Sequence, residues 1–157
     1  MKRAGHLFDQ IASAPALLAA YEQASRNKRA HRSTFQFARN LGGQIHRLLD
    51  ELQSGRYLPH PCNRFIVNER KKARLIEAPA FRDLVVQHAV YAVISPLLEQ
   101  RYITTNFACR IGKGTHKAAD WLQAAMRRAP RNSWTLHVDV RKIKYSIDRG
   151  VLEAMLR

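Results

Sequence analysis

Residues 81–98 (FRDLVVQHAVYAVISPLL) constrain this chain more than any other stretch, because Val85, Val86, Ala89, Val90, Val93, Ile94 and Leu97 recur at helical spacing as one wide apolar stripe. A helix of that kind has to be buried, so the rest of the chain is expected to pack around it. Pro79 marks the boundary before it, and Pro96 distorts its last turn by removing an N–H.

Two amphipathic stretches precede it. Over residues 7–25, Leu7, Ile11, Ala14, Leu17, Leu18 and Tyr21 share a helical face, with Pro15 kinking the stretch or dividing it into two short helices. Over residues 33–53, Phe37, Leu41, Ile45, Leu48, Leu49 and Leu52 repeat every three or four positions. Gly42 and Gly43 weaken its middle by about 1 kcal/mol each relative to alanine. Ser54-Gly55 supplies the stop. Residues 64–67 (RFIV) and 74–77 (RLIE) are two short β-favouring runs separated by Asn68-Glu69-Arg70-Lys71-Lys72, which predicts a basic β-hairpin.

Beyond residue 98 the chain must turn around Gly112 and Gly114. Thr115 is then expected to cap a helix carrying Ala118, Ala119, Trp121, Leu122, Ala125 and Met126, closed by Pro130. In residues 134–140 (WTLHVDV), Trp134, Leu136, Val138 and Val140 alternate with Thr135, His137 and Asp139, the pattern of a half-buried strand with a carboxylate on its open face. Asp148 and Arg149 open a last helix with Val151, Leu152, Met155 and Leu156 on its apolar side. The fold class is therefore α+β, mostly helical, with a basic hairpin and the start of a second sheet.

Composition sets the class of partner. The chain has 157 residues, and a hydrophobic fraction of 46% excludes a disordered tail. Twenty-seven Lys and Arg against 12 Asp and Glu give a formal net charge of +15, a field that attracts polyanions. The run at residues 26–33 (RNKRAHRS) is a loop, either a solvated face or an arm that contacts phosphate. Cys62 and Cys109 match no zinc or redox spacing and are read as buried thiols of a reducing compartment. The basic N-terminus lacks the apolar core of a signal peptide, and no stretch reaches the ~20 apolar residues of a membrane span. A cytoplasmic protein without a membrane partner is expected.

Among motifs, Arg110-Ile111-Gly112-Lys113-Gly114-Thr115 is not a P-loop, because Phe107 stands where that motif needs its first glycine. A glycine turn feeding a helix still favours an anion, with Arg110, Lys113 and Lys117 adding charge; the other reading is an ordinary turn and cap. The seven histidines form no HExxH pair, and no serine sits in a nucleophile elbow. Asp139 remains. An acid at the end of a strand in so basic a chain is a natural magnesium ligand where phosphate is the substrate, or else a solvated carboxylate.

From Arg74 onward, the string RLIEAPAFRDLVVQHAVYAVISPLLEQRYITTNFACRIGKGTHKAADWLQAAMRRA, followed by HVDVRK and YSIDRGVL, resembles bacterial reverse transcriptases. The likeness is closest to the diversity-generating retroelement type and more distant to group II intron and retron enzymes. It runs from about Leu7 to the end and implies three segments: an N-terminal helical extension over residues 1–60, the fingers over 61–133, and the start of the palm sheet over 134–157.

The roles that follow are those the resemblance implies. Asp139 would be the first catalytic carboxylate, ligating the Mg²⁺ ions that activate a primer 3′-hydroxyl and neutralise a triphosphate. Arg74, with Lys71 and Lys72, would clamp the phosphates of the incoming dNTP; a guanidinium suits this because its planar fork donates two parallel hydrogen bonds. Lys144 belongs to the same nucleotide site. Arg82, Arg110, Lys113 and Lys117 would lie along an RNA template and DNA primer, contacting backbone without reading sequence. A small basic accessory protein is an expected partner.

Two departures bear on activity. Ile143 and Lys144 stand where the family carries two aromatic residues, the second of which excludes a 2′-hydroxyl, and a lysine provides no such flat wall. The family's Y-x-D-D motif, which brings the other carboxylates, is absent from these 157 residues. Because two-metal transfer needs several carboxylates, the chain alone is expected not to polymerise, as a truncated product or a piece of a longer enzyme. The alternatives are a non-catalytic nucleic-acid-binding remnant of such an enzyme and an unrelated structural RNA-binding protein.

Overall fold

The structure, a computed structural model, describes residues 4–69, 72–141 and 143–156. By packing, the chain falls into two compact units, Met1–Asn106 and Phe107–Arg157. Both are helical, and the first also holds an antiparallel two-stranded sheet, so the protein mixes α and β as expected.

In the first unit the chain breaks into helices where its local chemistry dictates. α1 (Leu7–Ile11) and α2 (Ala14–Ser25) are separate, with extended Ser13 at the N-cap and Pro15 in the first turn of α2, where a missing N–H costs nothing. The long helix expected over residues 33–53 is instead α3 (Arg32–Ala38) and α4 (Leu41–Gln53). The cause is Asn40, whose side chain accepts a hydrogen bond from the Gly43 amide at 3.3 Å and caps α4. A Cβ on Gly43 would lie 2.7 Å from that side chain, so this glycine makes room for the cap. Gly55, at φ +69°, turns the chain out of α4.

α5 (Phe81–Glu99) is the helix around which the unit is built, and α1, α2 and α3 all pack on it. Leu17 and Val85 are both 0% exposed, and Leu48 of α4 is nearly so. The rings of Tyr21, Phe37 and Phe81 join α2, α3 and α5: Tyr21 and Phe37 stack at 5.8 Å, and Phe81 meets Phe37 edge-on at 5.3 Å. The N-terminal half of α5 is buried, whereas Val93, Ile94 and Leu97 are only half-covered, so the stripe is wider than its cover.

β1 (Asn63–Glu69) and β2 (Lys72–Ala78) form the expected hairpin, longer at both ends, with Phe65 opposite Ile76 and Val67 opposite Arg74. Period-two alternation places Phe65, Val67, Arg74 and Ile76 on one face, and Arg64, Ile66, Leu75 and Glu77 on the other. Arg64 and Glu77 pair across the strands at 2.8 Å.

The second unit holds α6 (Thr115–Arg128), α7 (Ile143–Ser146) and α8 (Arg149–Leu156). Thr115 is the first residue of α6 rather than its cap, a place taken by Gly114 at φ +112°. Asp148 caps α8, its Oδ1 accepting from the amides of Gly150 at 2.8 Å and Val151 at 3.1 Å. The strand predicted over residues 134–140 is absent. That segment pairs with no other strand among the described residues, and Trp134 and Leu136 are 98% and 87% exposed. Alternation marks a segment fit for a sheet, but a strand forms only when a neighbour takes up its backbone groups.

The expectation of buried thiols also fails: Cys62, in the lead into β1, and Cys109, in the turn before Gly112, are both exposed. No helix among the described residues is long and apolar enough to cross a membrane.

Candidate nucleotide and nucleic-acid interface

The hairpin projects from a built base. Asp83, in the first turn of α5, is 2% exposed, and its carboxylate accepts from the Tyr57 hydroxyl at 2.8 Å and the His60 amide at 2.9 Å. These two bonds fasten the segment that leads into β1 onto the start of α5. Burial, and then the hydrogen bond to Asp83, push the Tyr57 hydroxyl well above the ordinary tyrosine range.

Arg82 completes the base. Its guanidinium makes an ion pair with Glu51 of α4, lies 3.0 Å from His60 Nε2 and stands 5.5 Å from the centre of the Tyr57 ring. Its Nε is 3.6 Å from Asp83 Oδ1, too far for a hydrogen bond, and is buried without one. Arg82, expected along the template, thus directs its fork inward at Glu51 and ties α4, α5 and the hairpin lead together. Glu51, Tyr57 and Asp83 were not singled out by sequence. The available signal was an acid at 83, in register with Val86 and Val90 on an otherwise apolar face.

Arg74 is exposed on β2, sharing a face with Phe65, Val67 and Ile76. Lys72 begins the same strand. Lys71 lies outside the described residues. The hairpin therefore carries Arg74 on an apolar ladder that fixes its direction, the arrangement a phosphate clamp needs.

In the second unit, Gly112 (φ +72°) and Gly114 form the expected turn into α6. Lys113 sits with its Nζ 5.2 Å from the centre of the Phe107 ring, which in turn meets Trp121 at 6.2 Å. Arg110 is half-buried and Lys117 exposed on the first turn of α6. Asp139 is exposed in the extended segment and makes no hydrogen bond or ion pair among the described residues. Ile143 is exposed at the start of α7, and the Lys144 side chain lies outside the described residues.

The magnesium expectation can be weighed against the donors present. Among the described residues no three His, Cys, Asp or Glu side chains group as metal ligands. Asp139 offers one carboxylate, and a two-ion site of the implied kind needs more than these residues bring together.

The chain is similar to Protein YkfC of Escherichia coli (strain K12). The two are 29% identical over 103 residues, which make up 64% of this chain and 27% of YkfC. The chain therefore spans about a quarter of the length of the curated relative it matches. No protein-family model matches the chain. The residues that resemble reverse transcriptases accordingly divide between two places: a hairpin bearing Lys72 and Arg74 on the first unit, and a glycine turn, α6 and Asp139 on the second.

Proposed function

We propose that this chain is the fingers and first palm motif of an RNA-directed DNA polymerase, which copies an RNA template onto a DNA primer from dNTPs with Mg²⁺. The observation that carries the reading is the antiparallel hairpin with Arg74 on one ordered face, fastened by Asp83 to the helix that follows it. A nucleotide clamp requires a cation held in a fixed direction, and an apolar ladder beside it supplies that. The exposed alternating segment at residues 134–140 supports the same reading as a palm strand whose neighbours come from further chain, with Asp139 the first of several carboxylates. The quarter-length match to YkfC is compatible with a catalytic unit longer than these 157 residues.

In this reading, Arg74, Lys71, Lys72 and Lys144 contact the nucleotide, Arg110, Lys113 and Lys117 the template and primer, and the protein works in the cytoplasm. The second reading is a nucleic-acid-binding remnant without catalysis, favoured by Ile143 and Lys144 standing in place of the family's aromatics.

Primer extension on an RNA template with Mg²⁺ tests both, with this chain run beside a version extended through the downstream reading frame. Incorporation by the extended protein that is lost in Asp139→Asn establishes the polymerase. No incorporation by either, with salt-sensitive RNA binding retained, establishes the remnant.

A further inference from the structure

The basic run at residues 26–33 has no role in that polymerase reading, yet the structure gives it a definite shape. α2 ends at Ser25, Asn27 adopts a left-handed φ of 60°, and the bonds from the Lys28 amide to Ser25 O (2.9 Å) and from the His31 amide to Lys28 O (3.0 Å) wind the run into two turns. The turns wall a cleft of about 760 Å³ whose lining includes Arg26, Asn27 and Arg29. A second, more apolar cleft of about 600 Å³ lies between α2 and α5, lined by Leu84, His88, Tyr91 and Ala92 among others. Gln23 lines both, so the two are neighbours. Each falls within the roughly 300–1,000 Å³ of ligand sites.

The cations of this loop differ from others in the same unit. Arg56, Arg64 and Arg82 are paired with Asp50, Glu77 and Glu51. Among the described residues, Arg26, Lys28, Arg29 and Arg32 have no carboxylate within ion-pair distance, although Glu22 also lines the cleft. The C-terminal end of α2 repels an anion, so any attraction comes from these side chains. Unpaired cations on a concave wall concentrate the field that draws phosphate. In the neighbouring cleft, the Tyr91 ring is 62% exposed beside Leu84 and Ala92, a flat apolar platform on which a base can stack.

We infer that the paired clefts bind a short stretch of single-stranded nucleic acid, with a phosphodiester on Arg26 and Arg29 and an adjacent base on Tyr91. The residues are distinct from Arg74 and Asp139, and the inference goes beyond the polymerase reading.

The test is fluorescence anisotropy of the full chain with a labelled single strand of about 12 nucleotides. It is run as RNA and as DNA, with heparin as a ligand that carries charge but no bases. EDTA is present, so no polymerase chemistry contributes and the two readings fail separately. Arg26→Gln with Arg29→Gln is expected to weaken binding of one or both strands and to lower the salt slope by about 1.4, some 0.7 per phosphate contact. Tyr91→Ala is expected to weaken strand binding roughly fivefold or more while leaving heparin unaffected, and Tyr91→Phe to restore it. Whether RNA, DNA or both respond identifies the natural strand. The inference is overturned if the double substitution does no more than Arg127→Gln with Arg128→Gln on α6, or if Tyr91→Ala binds strands as tightly as the parent. The substituted side chains are exposed, and an unchanged thermal transition verifies that the variants fold.

Discussion

α4 and α6 are close in length, and both are strongly amphipathic, yet they meet different fates. Ile45, Leu48 and Leu52 of α4 are buried, whereas Trp121, Leu122 and Met126 of α6 are exposed. The difference extends to their units: the first has a core from Ala12 to Ala89, and among described residues 107–156 none is buried. An apolar stripe reports that a face needs cover. Whether the cover exists depends on neighbours, and α4 has α2 and α3.

The sharpest way to break this comparison is to remove equal side chains from the two units. Leu17→Ala deletes a 0%-exposed side chain and is expected to cost about 3 kcal/mol in urea unfolding. Leu122→Ala should leave that transition within about 0.5 kcal/mol of the parent. A comparable loss at Leu122 would mean that the second unit has a core of its own.

Next in size is the base of the hairpin. Asp83→Ala leaves the Tyr57 hydroxyl and the His60 amide without their acceptor and is expected to cost about 2 kcal/mol. Asp120→Ala, an exposed acid on α6, is the matched control and should change little. Hydrogen exchange should show the amides of β1 and β2 losing protection in Asp83→Ala more than those of α2, because the bonds removed fasten the lead into the hairpin.

Tyr57 gives the same contact a pH signature. Its proton is held above the ordinary value of 10.0, so in alkali the folded state binds more protons than the unfolded one. Its contribution is fully present below pH 10 and is lost as pH rises through the folded value. Denaturation midpoints taken from pH 8 to 11 should fall less steeply above pH 10 in Tyr57→Phe than in the parent. Parallel curves would show that Asp83 does not hold the hydroxyl.

These features were unequally legible in the sequence. The division at Pro15, the hairpin, α5 and the stop at Gly55 follow from one or two residues whose backbone preferences leave little choice. The break at Asn40 was missed because the apolar period runs through it from Phe37 to Leu41, and only a cap bond to Gly43 outweighs the period. The strand at residues 134–140 was legible as a pattern but not as a structure, since its hydrogen-bonding partner is no property of its own sequence. In the site, Arg74 and Asp139 were found by likeness. The inward turn of Arg82 was hidden because it depends on Glu51, 31 residues earlier, being brought beside it by α4 packing near α5.

The smallest effect separates local from global order. Asn40 and Asp148 both cap helices with a side-chain oxygen, and in an isolated helix either would contribute about 1 kcal/mol. Asn40 caps a helix whose Leu48 is locked in the core, so Asn40→Ala should lower the global unfolding free energy by about that amount. α8 has Val151, Leu152 and Met155 exposed, so its formation is weakly tied to the core, and Asp148→Ala should leave the global transition in place. It should instead lower helicity at residues 149–156 alone, seen as a loss of helical Cα chemical shifts there. A shift of the global transition by Asp148→Ala would show that α8 unfolds together with the first unit and that the two regions share one cooperative fold.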